Sequence, residues 1–172
     1  MYILVTPPLA IAAVGNQTLI AGQKLVLTNT LTSPGTPPVT WSLLTSPTGM
    51  TLNSTNGILN WRPTIAQSPT TNPISFKVTD SASLDATNNF WVTVNAPNRP
   101  TIGAPAWNNG VFSMLVSGTT GPDYILQAST NLANPAAWNT VLTSNSPPLP
   151  FTFTDPNATE YDWQFYRILL GP

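Results

Sequence analysis

The 172 residues carry five Lys or Arg against six Asp or Glu, so charged side chains make up 6% of the chain, where roughly 25% is usual for a globular domain. A net charge of -1 with no block of like charge, no His and no Cys removes the electrostatic footprint for nucleic acid or anionic lipid, all thiol and disulfide chemistry, and the usual proton shuttle. Solvation falls instead to 26 Thr, 13 Ser and 17 Asn, while 41% hydrophobic and 9% aromatic residues supply apolar area for a core without crosslinks.

From the N-terminus, Tyr2-Ile3-Leu4-Val5 is a strand-like apolar run ahead of Pro7-Pro8. It is not read as a signal peptide, because no basic residue precedes it and the two prolines break it. A run of this kind requires burial. It can pair inside its own first domain, or add as a strand to the open edge of a neighbouring subunit.

Period-two alternation then marks half-buried strands. In Lys24 to Thr28 the inward residues are Leu25 and Leu27; in Val39 to Leu43 they are Val39, Trp41 and Leu43. In Ile74 to Asp80 they are Ile74, Phe76 and Val78; in Phe90 to Ala96 they are Phe90, Val92 and Val94. The opposite faces read Thr40, Ser42, Ser75, Lys77, Thr79, Thr93 and Asn95, one face core and the other wet. Asn56-Gly57, between Leu52 and Ile58, predicts an antiparallel hairpin with positive φ at both central positions. Two prolines in Asn95-Ala-Pro-Asn-Arg-Pro100 forbid a ladder and mark a linker, giving domains over 1–97 and 98–172.

The second half resumes with strands over Val111 to Ser117, Tyr124 to Ser129, Trp138 to Thr143, Phe151 to Asp155 and Trp163 to Leu170. Gly118 to Pro122 and Ser144 to Pro150 supply turns, and Ala133 to Ala137 is at most one helical turn. The expected fold is all-β, two tandem immunoglobulin-like Greek-key sandwiches, the second smaller than the first.

Three segments of the first half, Trp41-Ser-Leu-Leu, Pro47-Thr-Gly-Met-Thr-Leu-Asn-Ser-Thr-Asn-Gly-Ile-Leu-Asn-Trp-Arg-Pro-Thr64 and Phe76-Lys-Val-Thr-Asp80, resemble bacterial cadherin-like and immunoglobulin-like modules over residues 7 to 96. The resemblance implies a Greek-key sandwich used as a spacer, adhesion or glycan-proximal module. Calcium-binding members carry acidic clusters, whereas Thr30 to Pro38 and Asn95 to Pro100 contain no carboxylate, leaving Asp80 and Asp85 nearby. In the second half, Phe112, Gly118, Gly121, Tyr124 to Leu132, Trp138, Phe151 to Asp155 and Phe165-Tyr-Arg167 resemble a C-terminal module of secreted Verrucomicrobia and Planctomycetes proteins. That resemblance implies an extracellular accessory sandwich.

Catalysis finds no machinery in this sequence. The six carboxylates are Asp80, Asp85, Asp123, Asp155, Glu160 and Asp162; Asp80, Asp123 and Asp155 sit where Asx side chains ordinarily cap turns, and Glu160 or Asp162 can pair with Arg167 at the surface. No histidine activates a serine, no Gly-x-Ser-x-Gly elbow occurs, and no glycine loop cradles phosphate. Trp41, Trp138 and Tyr124 are expected in core. Trp91, opposite in phase to Phe90 and Val92, and Trp107, beside the turn Asn108-Asn109-Gly110, are the candidates for a ligand or interdomain surface.

The expectation is a non-catalytic, extracellular or cell-surface structural or adhesive protein without cofactor or metal, not inserted in a membrane. Its partners are expected to be other copies of itself or other surface proteins. The sharpest form is a filament subunit joined through Tyr2, Ile3, Leu4 and Val5; the alternative is a glycan-binding accessory module using Trp91 or Trp107.

Overall fold

Side-chain alternation organises the first unit. In the computed structural model, which describes residues 8–172, Ile74, Phe76 and Val78 of one strand and Phe90, Val92 and Val94 of the next are all buried. Their strands, β8 (Thr70–Thr79) and β9 (Asp85–Asn95), pair antiparallel from Thr70↔Val94 to Thr79↔Asp85. β9 begins five residues before the expected start at Phe90, because Asp85 to Asn89 alternate in exposure but carry polar side chains inward as well.

β8 also pairs with β5 (Thr40–Thr45), and β2 (Gln17–Ile20) flanks β9, giving the sheet order β2-β9-β8-β5. The facing sheet is β3 (Leu25–Thr28), β7 (Ile58–Trp61) and β6 (Thr51–Leu52), in the order β3-β7-β6. A two-stranded ribbon joins β1 (Leu9–Ile11) and β4 (Leu31–Pro34). Between the sheets lie Trp41, Leu59, Trp61, Phe76 and Phe90. Trp41 and Phe76 have ring centroids 5.9 Å apart, and Phe76 meets Phe90 edge-on at 6.3 Å, geometries that favour the ring quadrupoles. The indole N–H of Trp61 donates to the Thr48 carbonyl at 3.2 Å, so its burial leaves no orphan donor.

The hairpin between β6 and β7 corrects one expectation. Only Gly57 has positive φ (69°), and the turn is longer than two residues: Asn53 Oδ1 accepts the N–H groups of Thr55 and Asn56, and Asn56 Oδ1 accepts that of Ile58. Asparagine amides supply the turn chemistry that a two-residue loop would have taken from backbone conformation.

The second unit gathers Ala96–Pro172 with Ile20–Gln23 and Thr64–Ala66; the first holds Lys24–Pro63, Gln67–Asn95 and the described residues up to Leu19. Its strands are β10 (Thr101–Asn108), β11 (Val111–Ser117), β12 (Asp123–Ser129), β13 (Asn139–Ser144), β14 (Phe151–Asp155) and β15 (Phe165–Gly171). They form two antiparallel sheets, β10-β11-β14 and β13-β12-β15. The core is Met114, Val116, Tyr124, Leu126 and Phe153, with Phe112, Phe151, Tyr166, Ile168 and Leu170 half-buried around it.

β10 is absent from the sequence expectation, since Gly103-Ala104-Pro105-Ala106 shows no alternation. The strand tolerates Pro105 because it lies at a sheet edge and its register slips between Gly103 and Ala106, with Ala104 at φ 47°. Asn109 (φ 52°) and Gly110 (φ 82°) make the two-residue turn from β10 to β11. Trp138, expected in core, precedes β13 and is half-buried instead, with the Arg167 guanidinium 4.3 Å over its ring.

Tyr124, second residue of β12, donates its hydroxyl to the Thr119 carbonyl at 2.9 Å, holding the β11–β12 loop to the strand. Gly118 makes room for that hydroxyl: a Cβ there would stand 2.2 Å from it.

Candidate functional site

Three of the aspartates, Asp80, Asp123 and Asp155, bind the chain's own backbone, and a fourth, Asp85, binds side chains of the neighbouring strand. Asp80 Oδ2 accepts the Thr36 N–H, and its Oδ1 accepts those of Ala82 and Leu84, each at 2.9 Å. It thereby ties the β4–β5 loop to the β8–β9 turn. The Thr36 N–H, aided by those of Leu84 and Ala82, holds this carboxyl below the usual carboxylate range despite its burial. Asp85 accepts from the Thr79 hydroxyl and, at 3.1 Å, from Lys77 Nζ; the hydroxyl first and the ammonium second lower its pKa. Asp123 accepts the Ser146 N–H at 2.9 Å, and Asp155 accepts the Asn157 N–H at 3.0 Å and the Tyr166 hydroxyl at 2.8 Å. Burial, with Asp155 beside it, pushes the Tyr166 phenol well above its ordinary range. Arg167 binds Gln127 Oε1 through Nε at 2.8 Å and covers Trp138, in place of the expected pairing with Glu160 or Asp162. Among the described residues no three of His, Cys, Asp and Glu gather as a metal site.

The two tryptophans singled out from the sequence are exposed, each in a different unit. Trp91 is 50% exposed on the outer face of β9, cross-strand from Pro73. It stands over a shallow depression lined by Asn16, Thr45, Ser75 and Asn89, and Asn16 Oδ1 accepts its backbone N–H. Ring face beside hydroxyl and amide groups is a geometry on which a sugar ring can stack and hydrogen-bond.

Trp107 is 58% exposed and lies 5.7 Å from Phe112, which stacks on Tyr166 at 4.8 Å and 15°. Together with Tyr161 and Trp163 they line a cleft of about 170 Å³. It adjoins a polar hollow of about 340 Å³ whose walls include Ser129, Asn139, Thr140 and Asn157; the two share Tyr161 and Gln164. Trp163 is held by its indole N–H on the Thr130 carbonyl at 3.1 Å. Trp163, expected to open a strand, instead lies with Tyr161 in the connection before β15; that connection has no periodicity, and the Tyr-x-Trp pair in a polar loop is the available signal. Tyr2, Ile3, Leu4 and Val5 lie outside the described residues.

The family described as "Putative Ig domain" matches residues 7–95. The chain belongs to this family. Its first unit shows why: β3-β7-β6 and β5-β8-β9 reproduce the B-E-D and C-F-G order of an immunoglobulin sandwich. No curated protein matches the chain. Similar solved structures include a "putative alpha-galactosidase" from Bacteroides fragilis, 16% identical over 63% of this chain and 23% of that one, with a TM-score of 0.41. The protocadherin GammaB4 extracellular domain is 11% identical over 83% of this chain and 27% of its own, TM-score 0.43. The N-terminal eight Ig domains of Down Syndrome Cell Adhesion Molecule are 15% identical over 88% and 27%, TM-score 0.41. The chain thus spans about a quarter of the length of these structures. Among the described residues no helix is long and apolar enough to cross a membrane.

Proposed function

We propose that this immunoglobulin-family chain is a non-catalytic structural or adhesive module of the cell surface or extracellular space, and in its sharpest form the subunit of a filament assembled by strand addition. The observation that supports the non-catalytic reading is the use of the ionisable groups. Asp80, Asp123 and Asp155 bind backbone N–H groups, and Asp85 binds Lys77 and Thr79, so these carboxylates act as loop ties and not as acid or base. Strand addition is supported by the apolar run Tyr2-Ile-Leu-Val5. Electron microscopy of the purified chain tests it: fibres are expected, and a chain lacking residues 1–6 that forms the same fibres removes the strand-exchange form. Turnover of any substrate, abolished by replacing one aspartate, overturns the non-catalytic reading.

A second reading, glycan binding, is favoured by exposed rings beside hydrogen-bonding groups, hydroxyls and amides at Trp91 and Gln164 with Asp162 at the Trp107 to Trp163 cleft. Glycan-array binding lost in Trp91→Ala or Trp107→Ala supports it; a blank array from the folded chain removes it.

A further inference from the structure

The second unit is a sandwich left open at the corner beside β10. Across the β10–β11 pairing, Ile102 stands opposite Val116 and Trp107 opposite Phe112, so all four point to the same face of their sheet. That face is the inner one, since Val116 and Met114 on it are 0% and 1% exposed. Yet Ile102 is 44% and Trp107 58% exposed. Both lie on the edge strand β10, where an inward residue is left half in solvent when no strand of the opposing sheet lies over it.

The opposing sheet ends at β15, which pairs with β12 and has no strand on its other side among the described residues. Opposite the buried Tyr124 and Leu126 of β12 stand Leu170 and Ile168 of β15, and opposite Ala128 stands Tyr166; these three rim the core half-buried. At one end the gap is a cleft in which Trp107 of β10, Phe112 of β11 and Tyr166 of β15 meet Tyr161, Trp163 and Gln164 of the β14–β15 connection. Its floor is apolar, and its wall carries the N–H and C=O groups that a β-strand presents at a sheet edge. The first unit has no such opening along its paired core strands, where Ile74, Phe76, Val78, Val92 and Val94 are all fully buried.

We infer that this corner is the acceptor for strand Tyr2–Val5 of a second copy of the chain, which adds along β15 and covers Ile102 and Trp107. The inference rests on the strand-addition reading above and names the surface that reading needs. Four consecutive apolar residues extend about 13 Å and present an apolar face whichever side turns inward, Tyr2 with Leu4 or Ile3 with Val5. The donor leaves from the first unit, where the Pro8 carbonyl accepts the Gly35 N–H at 3.2 Å, while the acceptor lies in the second. Donor and acceptor are different surfaces of one chain, so exchange between copies is head-to-tail and propagates.

The test compares the full chain with a chain lacking residues 1–6, with Ile102→Asp, and with Leu132→Asp as a control at an exposed site between β12 and β13. Sedimentation and electron microscopy should show assemblies for the full chain and for Leu132→Asp. The truncated chain should be monomeric, and Ile102→Asp should raise the concentration needed for assembly at least about tenfold. A synthetic peptide of residues 1–8, added to the truncated chain, should slow exchange of the outward β15 amides between Phe165 and Leu169 at least about tenfold; this arm decides the matter even where Ile102→Asp fails to fold. Assembly that needs residues 1–6 but leaves β15 exchange unchanged overturns the acceptor while sparing strand addition. No assembly at all overturns both. A monomeric full chain whose β15 amides are already protected, and become exposed on truncation, overturns the second-copy assignment in favour of closure within one chain.

Discussion

Gly118 and Tyr124 are coupled by one atom, the phenol oxygen, and the coupling can be measured. A Cβ at position 118 would fall 2.2 Å from that oxygen and 3.2 Å from the ring carbon bearing it. Gly118→Ala must therefore displace the hydroxyl, which combines overpacking with loss of the bond to the Thr119 carbonyl, a cost of about 2–3 kcal/mol. Tyr124→Phe removes the oxygen alone, at about 1 kcal/mol. In the double variant the methyl group meets two ring carbons, at 3.2 and 3.3 Å, tight but accommodated by a shift of a few tenths of an ångström. The double variant should then lose about 1.5 kcal/mol, and not the sum of about 3–4. With two units in the chain, a single global transition is not assumed; stability is read locally, from native-state amide exchange at Tyr124 to Ala128 of β12. Additive losses within about 0.5 kcal/mol would refute the steric argument.

Gly57 combines φ 69° with a would-be Cβ contact of 2.8 Å on the Trp41 indole, so Gly57→Ala should cost the first unit about 2–3 kcal/mol, measured by urea unfolding. Asp80 and Asp85 both titrate below their unfolded values; their stabilisation is full above the unfolded carboxylate pKa of about 4 and is lost as pH falls through the folded values. Calorimetry from pH 7 to pH 3 should show a thermal midpoint flat above about pH 5 and falling below it, with a shallower acid decline in Asp80→Asn. Because the Asp80 oxygens already accept three N–H groups, millimolar calcium should leave the midpoint within about 1 °C; a rise of several degrees would show that the loop exchanges those donors for a cation.

Legibility in the sequence followed burial contrast. β8 and β14 could be read because Ile, Phe or Val inward alternates with Thr, Ser or Lys outward, and β9 and β11 because Phe, Val or Met recurs at every second position even though Trp91 and Leu115 face outward. β10 could not, since half its length is Gly, Ala and Pro and its two large residues face an open corner. Trp91 was legible as an outward ring from its phase against Phe90 and Val92. The exposure of Trp107 was legible only as proximity to a turn, because whether an inward residue is covered depends on a strand of the other sheet. Trp138 misled for a related reason: a tryptophan before a strand looks like core until a guanidinium is found on its face.

The outer face of the four-stranded sheet holds Thr71 against Thr93, Ser75 against Asn89, and the Lys77–Asp85 pair. A surface dressed mostly in hydroxyls and amides gives dissolved ions little to screen, whether the Debye length is about 30 Å or about 3 Å. The electrostatic part of such a module's contacts therefore changes little between fresh water and brine, where a conventionally charged surface would lose much of its own.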